Sequence, residues 1–83
     1  MKIFRTIESS SNLIKLLNTC RREGYFEQDF VDVTPYFTIP GDKPLLKKTK
    51  DGKYTSLLLQ RYDGTTRFAG KGTDGWIMYE MYG

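Results

Sequence analysis

The chain has no histidine and a single cysteine, Cys20, among its 83 residues. Without imidazole it lacks the side chain whose unperturbed pKa lies nearest neutrality and that serves most often as general acid or base. Nucleophile pairs of the Ser-His and Cys-His kind are excluded outright. One cysteine allows no intramolecular disulfide and no zinc-finger spacing, and it points to a reducing, cytoplasmic setting. Long apolar runs are also lacking. The charged start Met1-Lys2-Ile3-Phe4-Arg5 is not followed by the run of about seven or more apolar residues that a secretory leader needs, and no stretch approaches the roughly 20 apolar residues of a membrane span. Glu27, Asp29 and Asp32 lie close together but lack the alternating ligands and turn glycine of a calcium loop. These absences predict no enzyme, no catalytic residues, no cofactor, no metal site and no membrane partner.

What the chain does have is three Asp-Gly dipeptides, Asp51-Gly52, Asp63-Gly64 and Asp74-Gly75, with aromatic and aliphatic runs between them. Asp-Gly is favoured in two-residue hairpin turns, whose central residues take positive φ. The spacing predicts a β-meander. A chain this short buries only about 60 to 65% of its extended surface. Its six Tyr, five Phe and one Trp can fill much of the small core, since each ring buries roughly 150 to 250 Å².

Residues 2–7 read as a short strand. Ser9, Ser10, Ser11 and Asn12 offer N-caps for a helix in which Leu13, Ile14, Leu16, Leu17 and Cys20 form one apolar stripe. Arg21 and Arg22 suit the negative end of the helix dipole, and Gly24 suits the left-handed position beyond it. On that stripe Cys20 is expected to be a buried hydrophobe rather than a reactive thiol. Pro35, Pro40 and Pro44 interrupt the next stretch, where short strands at 30–33 and 36–39 and a turn at Pro40-Gly41 are expected. Further strands are predicted at 45–50, 54–62, 66–69 and 76–82. Gly70-Lys71-Gly72-Thr73 resembles a fragment of a phosphate loop without its full spacing, and residues 70–75 read as a flexible hairpin loop whose tip can touch a partner. The expected fold is α+β, one N-terminal amphipathic helix packed on a twisted antiparallel β-meander of four to six strands, in a single domain spanning residues 1–83.

The net charge of +3 hides a segregation. Residues 1–22 carry +4, residues 23–42 carry −5 with no Lys or Arg, and residues 43–83 carry +4. Two candidate surfaces follow. One is an acidic aromatic lobe, with Glu27, Asp29, Asp32, Tyr36 and Phe37 as partner-binding residues, where rings anchor and charges select a basic protein. The other is basic, with Lys43, Lys47, Lys48, Lys50, Lys53, Arg61 and Arg67 as nucleic-acid-binding residues and interleaved rings that stack on bases. Each has a plain structural alternative: rings filling the core under a solvated acidic loop, and lysines guarding sheet edges.

The run Arg5-Thr6-Ile7-Glu8-Ser9-Ser10, the helix after it and Glu23-Gly24-Tyr25-Phe26 resemble the first half of the eighth small-subunit ribosomal protein, an rRNA-binding family. That resemblance implies RNA contact, but the family's Ser-Thr-Ser-x-Gly motif is absent. Met1-Lys2-Ile3-Phe4 and Phe68-Ala69-Gly70-Lys71 are similar to short pieces of ubiquitin, in which a hairpin precedes the helix. Neither likeness assigns a family. The expected function is a small non-catalytic module, monomer or homodimer, docking onto a protein or nucleoprotein complex. A phage-type inhibitor of host machinery matches the size by analogy. Direct binding of RNA or single-stranded DNA through residues 43–53 is the alternative.

Overall fold

The computed structural model describes residues 3–38 and 45–82, and the expected turn at Pro40-Gly41 lies outside them. Strand β1 (Ile3–Ser10) leads into helix α1 (Leu13–Arg22), then β2 (Tyr25–Asp32) and a 3-10 helix (Thr34–Thr38). Strands β3 (Thr55–Arg61), β4 (Thr66–Gly72) and β5 (Gly75–Tyr82) follow. All pairings are antiparallel, in the order β1-β5-β4-β3-β2. The fold is therefore α+β, with a meander from β2 to β5 and the first strand returning beside the last. No helix of the described residues is long and apolar enough to cross a membrane.

Local chemistry explains the helix. Asn12 caps it by accepting from the Ile14 amide at 2.9 Å, which satisfies one of the orphan donors at the start. Gly24, at φ +89°, donates its amide to Arg21 O and ends it. Leu16 and Cys20 are fully buried against Tyr25, Leu57, Leu59, Ala69 and Met78. Burial of Leu16 alone contributes about 2 to 3 kcal/mol. Cys20 Sγ lies 3.3 Å from Met78 Sδ, and burial pushes its thiol pKa up, away from the nucleophilic thiolate.

A second cluster fills the other face of the sheet, formed by Phe4, Val33, Leu46, Phe68 and Tyr79. Residues 34–38 and 45–54 cover it. Phe37 lies 5.2 Å from Phe4 and stacks on Tyr54 at 4.4 Å. This cover is tied down by the Val33 amide donating to Tyr54 O and the Tyr54 amide donating to Thr34 Oγ1 at 2.7 Å.

Several expected elements are corrected. Residues 30–32 belong to a longer strand that starts at Tyr25, and Val33 lies just beyond its end. Residues 36–38 form a 3-10 turn instead of a strand, because Pro35 fixes a helical φ. Residues 45–50 give only one bridge, Leu46 to Gly72. The glycine run at 70–72 extends β4, so the hairpin tip is only Thr73 and Asp74. In the Asp-Gly pairs only glycine takes positive φ, at 74°, 88° and 131° for Gly52, Gly64 and Gly75. The Asp63-Gly64 turn is a three-residue loop, with the Gly64 and Arg61 amides donating to Arg61 O and Thr65 O.

Both border strands carry one extra residue relative to their partners, between Thr6 and Glu8 in β1 and between Glu27 and Phe30 in β2. Such bulges bend an edge and disfavour its pairing with another chain.

Candidate functional site

The register sorts the charged side chains. Tyr25 pairs with Arg61, and Leu59 with Arg67, so both arginines lie on the helix-side face with Tyr25. Their guanidinium carbons lie 4.9 Å and 4.5 Å from the centre of the Tyr25 ring, a cation-π pair around a buried ring. Arg67 Nη1 donates to Glu23 Oε2 at 2.6 Å, and its Nε lies 3.8 Å from Glu80 Oε2. That Nε is buried without a hydrogen bond. Arg61 pairs with Asp63 at 3.4 Å. The two arginines expected on a nucleic-acid surface therefore serve the fold, and Arg67 is largely buried.

The acidic lobe is also altered. Glu27 accepts from Arg21 at 2.6 Å, so Glu23 and Glu27 are both neutralised by arginines. Asp29 and Asp32 remain exposed without an ion pair among the described residues, each accepting a backbone amide, from Phe30 and Thr34. Hydrogen bonds from Thr34 lower the Asp32 pKa. Tyr36 and Phe37 are half-buried in the second cluster, where they act as core rings. The exposed rings near these carboxylates are Phe26 and Phe30, at 61% and 56%.

The lysines behave differently. Lys47, Lys48, Lys50 and Lys53 are all exposed, and none forms an ion pair with a carboxylate among the described residues. Lys43 lies outside the described residues. Backbone bonds hold the loop in shape: Lys47 N donates to Lys71 O at 2.9 Å, Thr49 N to Lys53 O at 2.7 Å, and Gly52 N to Thr49 O. Lys48 Nζ stands 5.6 Å over the Tyr54 ring, and Lys71 Nζ stands 5.2 Å over the Trp76 ring. Lys71 joins this end of the molecule through its bond to Lys47, a neighbour that the sequence separation concealed.

Beside the loop, a cavity of about 410 Å³ opens where the end of β1 meets the β4–β5 turn, with Ser10, Leu45, Thr73, Asp74, Trp76 and Ile77 in its wall. Sequence reading missed Trp76 as a site residue, because it looked like one more ring in a strand. The only pointer was the glycine-rich run before it. No group of His, Cys, Asp or Glu side chains among the described residues is placed to hold a metal ion.

Comparison with protein-family models, with curated proteins and with solved structures finds no match to this chain.

Proposed function

We propose that the chain is a non-catalytic binding module that docks onto a nucleoprotein complex, with the lysine loop at residues 47–53 set against phosphate backbone. The observation that carries this reading is the imbalance of pairing. Glu23 and Glu27 are matched by Arg67 and Arg21, while Lys47, Lys48 and Lys50 are exposed with no carboxylate partner among the described residues, and Lys53 forms no ion pair there, its charge only adding to the Thr34 hydrogen bonds that lower the Asp32 pKa. Unmatched ammonium groups release counterions when they meet phosphate, which gives salt-dependent affinity. The buried thiol of Cys20 and the lack of histidine support a role without catalysis.

The test is binding of oligonucleotide across a salt series with the wild type and the Lys47→Glu/Lys48→Glu variant. Affinity is expected to fall steeply with salt and with the double reversal. Binding indifferent to both removes the reading.

A second reading has its own support: Phe26 and Phe30 are exposed on border strand β2 beside Asp29 and Asp32, a surface suited to a basic protein partner. Here, Phe26→Ser/Phe30→Ser is expected to abolish capture of a protein from native lysate that survives nuclease. Capture unaffected by the two substitutions dismisses it.

A further inference from the structure

We infer that the cavity beside Trp76 is a nucleobase pocket, which makes the preferred ligand a single strand of nucleic acid rather than a duplex. This inference rests on the lysine loop meeting phosphate. The cavity and the loop are contiguous. Leu45 lies in the cavity wall, Leu46 bridges to Gly72, and Lys47 donates to Lys71 O. The lysine-bearing segment therefore starts at the cavity rim. Gly72 makes this approach possible, since a Cβ there would lie 3.0 Å from Leu45 O and 2.8 Å from Ile77 Cδ1.

The chemistry of the wall matches an unpaired base. Trp76, Ile77 and Leu45 supply an apolar side, and Ser10, Thr73 and Asp74 supply hydroxyl and carboxylate groups. A base buries its flat faces against rings and aliphatic groups, and its edge needs hydrogen-bond partners. The carboxylate of Asp74 suits the amino group of cytosine, a donor that carboxylates accept in base recognition. Asp74 is a second carboxylate at this end besides Asp51 of the loop, and a base-edge acceptor gives it a role that phosphate does not. Lys71, whose ammonium sits 5.2 Å over the Trp76 ring, links base to backbone: its charge meets the phosphate of the nucleotide whose base lies against the ring. In a duplex the edges are paired and the faces stacked, so the pocket stays empty.

Trp76 is the sole tryptophan, and because it also packs against the helix-side core its emission is read beside a circular-dichroism spectrum that should stay unchanged. The experiment titrates the whole chain with a short oligocytidylate and with the same strand paired to oligoguanylate. A saturable change in emission is expected with the single strand, which should bind about tenfold more tightly than the duplex. Trp76→Leu should weaken the single strand by a similar factor and leave the salt slope unchanged. Ser11→Phe, an exposed position in the same wall, blocks the cavity without touching the core and should do the same. Salt-dependent binding with unchanged Trp76 emission, or equal affinity for both forms, overturns the pocket while the lysine-loop reading stands. Binding to neither overturns both.

Discussion

The hydroxyl of Ser56 and the phenol of Tyr79 share a hydrogen bond of 2.6 Å between fully buried side chains. They meet over β4 at Gly70, where a Cβ would lie 2.7 Å from Ser56 Oγ. Tyr79→Phe or Ser56→Ala leaves one buried hydroxyl without its partner, and each is expected to destabilise the fold by about 1 to 3 kcal/mol. The double variant should lose less than the sum, because the second change removes the orphan left by the first. Urea denaturation of the four proteins checks this.

Burial also pushes the Tyr79 pKa up to about 12, against roughly 10 for an ordinary phenol. The neutral phenol is thus favoured by folding. Its contribution is complete below the unfolded value and declines as pH rises through the native one. Wild-type stability should fall between about pH 10 and 12, and Tyr79→Phe should flatten that limb of the pH profile.

Gly70 is small because Leu46 crosses it, with Leu46 Cδ2 also 2.7 Å from a Cβ at this position. Gly70→Ala should lower stability by about 1 to 3 kcal/mol through overpacking. Shortening Leu46 to Ala in the same chain should reduce the additional loss caused by the Gly70 change. Thermal melts of the two single variants and the double variant would detect this coupling, and simple additivity would rule it out.

Arg67 joins Glu23, Glu80 and the Tyr25 ring. Arg67→Met strands two carboxylates and removes one cation from the ring, a change expected to cost about 2 to 4 kcal/mol. Arg67→Lys restores charge without the planar fork and should recover less than half of that. Chemical denaturation that places the lysine variant level with wild type would show that charge alone suffices.

Asp63 and Asp32 both have lowered pKa values through hydrogen bonds from Thr65 and Thr34, two residues on. A carboxylate favoured in the native state stabilises above its unfolded value and loses that effect as pH falls through its native value. Melting temperature should therefore drop below about pH 4. Asp63→Asn/Asp32→Asn should show a shallower acid limb in melts followed by circular dichroism.

Local signals made the helix legible in the sequence, because the cap at Asn12, the stripe ending at Cys20 and the stop at Gly24 all lie within one short segment. Strands β3 and β5 were legible for the same reason. Strand β2 was not, since a bulged border strand exposed from residue 26 to residue 30 has no alternation to read. The glycines at 70–72 looked like a loop because the chain that fills the space above them, at Leu45 and Leu46, comes from far earlier in the sequence. The candidate site followed the same division. The exposed lysines of the 47–53 loop could be named from their crowding, whereas Arg61 and Arg67 looked equivalent to them until the register placed both beside Tyr25. Trp76 gained meaning only once the end of β1 closed against the β4–β5 turn.

The first strand finds its neighbour in the last, which imposes an order on biosynthesis. While the ribosome is still extending the chain, β1, α1 and β2 emerge before anything that can receive them. The three C-terminal strands form a meander of nearest-neighbour hairpins able to assemble as they appear. Strand β2 can pair with β3 as soon as that strand appears, whereas β1 gains its neighbour only after β5 is released.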